Sequence, residues 1–354
     1  MAQDGEVTET APPLSDEAII WAFRLLVGRD PVDKDEIERH RDVADLERLR
    51  MRFAHTWEFQ DFFDRVGFGR PHYRMPMFLM RPPTNAAIPW RFAPPDLENP
   101  VCQFCTIAQF RDPVHAEIVE AMGLKPEATR RQWEMVWIVS VLATAGLIAP
   151  GRRICGLDVA QSRIPALLAS RGVEVLVVDK IRPDADIQRR RGLRSGQLFH
   201  PEIVNLADFE RLVRWEMLDI EAMPAAFDGM FDAVWSASVI DHLGPLTRML
   251  AVLRDTLRPL KPGGLSVHTL AFNISSDGVT VNSPEYAVLR RQDVERLAIA
   301  MHAEGHRIET LNFHPGLDPE DEELLSSPGS KPRPKHRHGA HVVTSFGLVI
   351  RKKG

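Results

Sequence analysis

Cysteine is scarce: three residues in 354 are too few for a disulfide framework. Two of them form Cys102-Gln103-Phe104-Cys105, a spacing that zinc sites use. No second Cys-x-x-Cys pair accompanies it, so these are expected to be packing cysteines and no metal is expected. A long apolar run is also missing. The longest, Val136 to Ala149, is shorter than the roughly 20 residues a bilayer requires and reads as a buried helix. No apolar segment follows a basic amino terminus, so no signal peptide is expected and the default location is cytoplasmic. Nor is there a basic excess. Lys and Arg number 44 against 49 Asp and Glu, a net charge of −5, which argues against nucleic acid as the main partner. What remains is an ordinary soluble composition, 44% hydrophobic and 26% charged, enough for one large α/β domain and a smaller one.

Taken in order, residues 1–13 are polar and small and are expected to be disordered. Ser15 offers a helix N-cap, and Ile19, Ile20, Phe23 and Leu26 then recur at helical spacing up to Gly28. Lys34 to His40 forms a second helical pattern, and Leu46, Leu49, Phe53 and Trp57 carry a third to Phe63. Residues 14–70 therefore read as a small all-α module. From Pro71 to Pro100 there are eight prolines, which remove backbone donors and predict an extended linker over residues 71–100. Residues 101–150 are a helical lead-in, with helices over Pro113–Met122 and Pro126–Leu147.

Residues 151–354 alternate between the two periods. Arg153–Leu157, Val173–Val178, Trp215–Asp219, Phe231–Trp235, Leu265–Phe272, His306–Phe313 and Val342–Arg351 read as strands. Helical patterns lie between them, at Pro165–Arg171, Leu246–Leu260 and Asp293–Glu304. Such alternation predicts an α/β fold, a doubly wound and mostly parallel Rossmann-like sheet. Ligands of such sheets bind beyond the carboxyl ends of the strands. The first βαβ unit ends at Asp179, an acid about twenty residues after the first turn. An acid there can accept hydrogen bonds from both hydroxyls of a ribose. The first turn departs from the usual Gly-x-Gly pattern, which supplies positive φ and close backbone approach. It reads Asp158-Val159-Ala160-Gln161-Ser162, and either register puts Asp158, Ala160 or Ser162 where glycines are expected. Farther on, His242 follows the fourth strand and His268 lies on the fifth, while Asn273 ends the fifth and can hold a substrate hydroxyl. Histidine titrates near neutral pH and suits base catalysis.

The run FDAVWSAS…DHLG…LKPGG…VHTLAFN resembles the later half of class I S-adenosylmethionine-dependent methyltransferases. More narrowly it is similar to a bacterial group with a WSS-type strand end, an acid-His-Leu-Gly loop and a His-Thr-x-x-Phe-Asn strand end. The resemblance covers roughly residues 99–352. It implies S-adenosyl-L-methionine as cofactor, held by Asp158, Ala160, Ser162, Asp179 and Ser236, with Asp219 and Ile220 beside the adenine. It implies O-methylation of a small-molecule or glycan hydroxyl, and an association with polysaccharide assembly. On the acceptor side it points to Arg131 in the Arg-x-Trp-Glu segment, and to His242 as the base with His268 second. The basic, His-rich run Lys331–His341 reads as a lid over an anionic or sugar substrate, and Arg189–Arg191 as a solvated segment. The amino-terminal stretch AFRLLVGRDP…EIERH…LERLRMRFAHTWEF resembles a small helical domain of unknown function, which implies a protein partner. Two rivals stay open: a nicotinamide-dependent oxidoreductase, and a non-enzymatic binding protein on a degenerate methyltransferase fold. The missing glycines motivate the second.

Overall fold

The computed structural model describes residues 14–43, 45–54, 56–59, 62, 73–159, 162–180, 196–324 and 333–354. The expectations for residues 1–13, for Ala160 and for Arg189–Arg191 lie outside the described residues. The chain divides into two compact units, residues 1–72 with 326–330, and residues 73–325 with 331–354.

In the first unit, helix α1 (Asp16–Ala22) starts where the Ser15 hydroxyl accepts the Ala18 N–H at 3.2 Å. It continues as a π-helical turn to Val27 and stops at Gly28, whose φ of +76° needs a residue without a Cβ. Helix α2 (Lys34–Glu38) is capped by Asp33, and α3 (Leu46–Ala54) follows. Ile19, Phe23, Val27, Val43, Leu49 and Phe53 make its core, with Phe23 and Phe53 edge to face at 4.7 Å. Of the stripes read from the sequence, Ile19, Phe23, Leu49 and Phe53 are buried, whereas Leu46 and Trp57 are exposed.

The second unit opens within the proline-rich stretch, whose apolar residues pack into the main core. Tyr73, Leu79, Ile88 and Leu97 are buried in the main core. Strand β1 (Trp90–Arg91) pairs with a short strand far along the chain, as does β2 (Cys102–Gln103). The prolines prevent long regular structure here, but the apolar residues between them have a surface to bury against. Helices α4 (Pro113–Ala121) and α5 (Arg130–Thr144) lead in, α5 with Trp133, Val136 and Trp137 fully buried. Buried Cys102 and Cys105 are packing residues here, and burial pushes the Cys102 thiol up to about 12.

There follow β3 (Arg153–Leu157), α6 (Ile164–Ser170), β4 (Glu174–Lys180), α7 (Leu206–Leu212) and β5 (Val213–Leu218). Next come β6 (Phe231–Ala237), α8 (Leu246–Asp255), β7 (Leu260–Asn273), α9 (Arg291–Ala303), β8 (Arg307–Ile308) and β9 (Leu311–Asn312), the partner of β1 and β2. Helix α10 (Pro319–Glu322) and the hairpin β10 (His336–His338) and β11 (His341–Arg351) close the chain. The large sheet runs β10-β11-β7-β6-β3-β4-β5, with β8 on β11. From β7 to β5 the pairs are parallel, and β11 is antiparallel to β7. Flanking helices make this the doubly wound, mostly parallel sheet that the alternation predicts. Phe104, Phe272, Phe313 and Phe346 pack between 4.9 and 6.0 Å apart, and each buried ring contributes about 1.5–3 kcal/mol. No helix among the described residues is long and apolar enough to cross a membrane.

Candidate active site

After β3 the chain builds outward through β4 and β5, then returns to the other side of β3 as β6. The crevice beyond the carboxyl ends of β3 and β6 is therefore the switch point of the sheet. The residues that end those two strands are unusual. Asp158 and Ser238 have φ of +43° and +49°, the two positive values found at non-glycine residues among those described. Such backbone costs of order 1–3 kcal/mol per residue and persists only where surroundings enforce it. Here the Asp158 N–H donates to Val178 O at 2.6 Å, and the Ser238 N–H to Thr269 O at 3.0 Å.

Residues expected on the β3–β5 side do gather along that edge. Asp179 ends β4 half-buried, and its Oδ2 accepts the Trp215 indole N–H at 2.8 Å. Ser162 is buried at the start of α6, its hydroxyl accepting the Ile164 N–H at 3.3 Å. Asp219 is exposed just past β5 and caps its own turn through the Glu221 N–H, with Ile220 buried beside it.

Ser236 and His268 do not join them. They lie opposite one another in the β6–β7 register, so their side chains share a face, and Ser266 shares it two residues earlier. All three are fully buried. The proton positions follow from one end of the chain of bonds. The Thr256 hydroxyl donates to Leu253 O at 2.7 Å, so it accepts from Ser266 at 2.7 Å. Ser266 then accepts from His268 Nε2 at 2.6 Å, which leaves Nδ1 to accept from the Ser236 hydroxyl at 2.7 Å. Burial pushes His268 down to about 3, so the ring is neutral with both nitrogens engaged. Asn273 is similarly committed. Its amide oxygen accepts from the Ser275 and Ser276 N–H groups at 3.0 and 3.1 Å, and its amide nitrogen donates to Val279 O.

The acceptor side of the crevice is built from α5, the turn after β6, β11 and the segment after β7. Glu134 is buried in α5 and its Oε1 accepts from the hydroxyls of Ser238 at 2.8 Å and Ser345 at 2.5 Å. Desolvation raises its pKa despite those bonds. Asp241 is buried in the turn Ile240–His242, and the Ala287 N–H donates to its carbonyl at 2.9 Å. His242 is exposed, with one face covered by the Tyr286 ring at 4.8 Å, and the other face of the phenol meets His338 at 5.2 Å. Packing pushes His242 below its ordinary value, so its imidazole is neutral at pH 7. Arg131 is exposed at the start of α5, one turn from Glu134.

The family model for a methyltransferase domain matches residues 155–268, the span from β3 through most of β7. That span is a methyltransferase domain, on the Rossmann-like sheet of the class I, S-adenosylmethionine-dependent family. No curated protein matches the chain. Among solved structures, a protein assigned as a sarcosine dimethylglycine methyltransferase from Galdieria sulphuraria is 15% identical, with a TM-score of 0.40 over 62% of this chain and 84% of that one. The CurJ carbon methyltransferase is 14% identical, with a TM-score of 0.40 over 68% and 60% of the two chains. A 1,6-didemethyltoxoflavin-N1-methyltransferase from Burkholderia thailandensis, solved with 1,6-didemethyltoxoflavin and S-adenosylhomocysteine, is 16% identical with a TM-score of 0.38 over 77% and 100%. At those identities and scores these likenesses add nothing to the family match.

The methyltransferase domain has S-adenosylmethionine as its cofactor, and the residues present fit it. The open question was the glycine-poor first turn. Asp158 takes the left-handed conformation itself, and aspartate is among the few residues that tolerate it, so at that position no glycine is required. Asp158, Ser162 and Asp179 would hold the cofactor, with Asp219 and Ile220 beyond them. When bound, S-adenosylmethionine supplies an electrophilic methyl group on a sulfonium. Sequence reasoning singled out His242 and reached Glu134 and Asp241 only as members of the Arg-x-Trp-Glu segment and the acid-His-Leu-Gly loop, without a proton-accepting role. Ser238, Tyr286 and Ser345 were passed over.

Proposed function

We propose that the domain methylates a hydroxyl of a small molecule or sugar in the crevice beyond β3 and β6. The observation that supports it is the gathering of Glu134, Asp241 and His242, three proton-accepting groups, around the end of β6. A hydroxyl is a weak nucleophile until its proton is drawn off, so it is the acceptor that most needs such groups. The neutral, exposed imidazole of His242 meets the acceptor at the mouth. The protein otherwise has to hold the reacting atoms in line, since displacement at a methyl group is governed by alignment.

The test is product analysis. Incubation with methyl-labelled S-adenosylmethionine and separate panels of hydroxyl, amine and carbon acceptors is expected to yield methyl ethers, identified by mass spectrometry. Label found only on nitrogen or carbon would refute the hydroxyl assignment. His242→Ala should lower methyl-ether formation about tenfold, through loss of the acceptor's contact at the mouth, while leaving S-adenosylhomocysteine affinity within about twofold. Full turnover in that variant would remove His242 from the site.

A further inference from the structure

We infer that Asp241 is the group that takes the proton of the acceptor hydroxyl, and that Glu134 is a positioning residue that tunes it. This inference rests on the hydroxyl reading above. Asp241 is only 2% exposed, yet its Oδ1 has no hydrogen-bond partner. An unsatisfied buried oxygen costs roughly 1–3 kcal/mol, more when charged, and calls for an explanation. A partner that arrives with the substrate provides one. The place suits it, because Asp241 lies three residues past the left-handed Ser238, in the turn that also carries His242.

Groups from two neighbouring elements act on this carboxyl, Glu134 and Arg130 from α5 and Tyr286 from the segment after β7. Burial first, then the negative charge of Glu134, push Asp241 up to about 7, opposed by the backbone N–H groups of Asp241 and Ala271 and then by Arg130. A carboxyl tuned that high is an effective base near neutral pH. His242 is shifted the other way, which makes it the weaker base of the two. Glu134 cannot easily leave, because the Ser238 and Ser345 hydroxyls hold the same oxygen. Removing that glutamate's charge should therefore make Asp241 more acidic without dismantling the turn.

In the step proposed, the acceptor oxygen bonds to the methyl carbon as the carbon–sulfur bond breaks. That electron pair remains on sulfur, giving S-adenosylhomocysteine, and the hydroxyl proton passes to Oδ1 of Asp241, which becomes a neutral acid. Tyr286, whose phenol is pushed up to about 12 by burial first and then by the Asp241 charge, is the neighbour on the segment after β7 that feels this carboxyl.

Two readouts on the full chain test this. Infrared titration of the S-adenosylhomocysteine-bound protein should show a protonated-carboxyl band that disappears with a midpoint near pH 7. The band should be absent in Asp241→Asn, shifted to lower pH in Glu134→Gln, and unchanged in His242→Ala. A missing band, or one that survives Asp241→Asn, overturns the assignment. In the second readout, glycerol at molar concentration serves as the smallest polyol acceptor, and S-adenosylhomocysteine formation is followed by chromatography. Turnover should rise about tenfold per pH unit up to pH 7, and Asp241→Asn should lower it at least a hundredfold. Turnover whose pH dependence persists in Asp241→Asn sinks this inference alone. Absence of any turnover with glycerol counts instead against the hydroxyl reading beneath it.

Discussion

Two polar clusters flank β6, one within the sheet and one where α5 meets the turn after the strand, and they differ in one respect. In the first, Ser236, His268, Ser266 and Thr256 form a chain in which every donor has an acceptor, ending on a backbone carbonyl. In the second, Glu134 has its two serines, but Asp241 Oδ1 is buried with nothing to bind. Both contain a histidine or acid shifted by burial, so a shifted pKa does not tell them apart. Satisfaction does. A closed network specifies packing, whereas an open one keeps capacity for something that arrives later.

The largest effect expected from breaking this contrast is on the closed side. His268→Ala leaves the Ser236 and Ser266 hydroxyls without their partner and opens a cavity in the sheet. We expect a loss of about 2–4 kcal/mol of stability in denaturant unfolding, with turnover of the folded fraction kept. A variant that stays stable but loses turnover would place His268 in the chemistry.

The pH dependence of stability sharpens the contrast, because the two clusters have opposite signs. His268 is depressed from 6.5 to about 3, so the folded chain resists its protonation and stability is lost as pH falls below 6.5. Asp241 is raised from 3.8 to about 7, so the folded chain resists its ionisation and stability is lost as pH rises between those values. Each slope approaches roughly 1.4 kcal/mol per pH unit at most. Melting curves of His268→Gln and Asp241→Asn against wild type should therefore diverge in opposite directions from pH 4 to 7. Parallel curves would show that one of the two environments is misjudged.

The smallest effect is expected at the left-handed turn. Asp158→Gly relieves strained backbone, and at φ +43° it should stabilise the fold by at most about 1 kcal/mol, with S-adenosylhomocysteine affinity unchanged. A marked loss of affinity would show that the Asp158 side chain, rather than its backbone, meets the cofactor.

The legibility of the sequence followed the range of the interactions. The strands around Asp179 were readable because period is local, whereas Lys261-Pro262-Gly263-Gly264, which ends the helical pattern of α8, lies inside β7. The tolerance of the first turn was not, since only the φ of Asp158 reveals that aspartate replaces glycine there. His268 stood out as a polar residue in an apolar strand, but its partners on β6 and at the end of α8 come from strand register and packing. Glu134 and Asp241 are far apart in the chain, and only the docking of α5 on β6, β7 and β11 brings their charges together. The prolines from Pro71 to Pro100 were plain to see, whereas the surface that buries Tyr73, Leu79 and Leu97 among them was not.

The central claim is that the crevice beyond β3 and β6 binds S-adenosylmethionine through Asp179. Calorimetric titration of S-adenosylhomocysteine into the full chain tests it most directly. We expect one site per chain, weakened by roughly 1.5–3 kcal/mol in Asp179→Ala, as for losing charged hydrogen bonds. Titration without heat or thermal shift at millimolar ligand, or binding indifferent to Asp179→Ala, would contradict it. The first of those outcomes would favour a non-enzymatic protein that keeps only the fold.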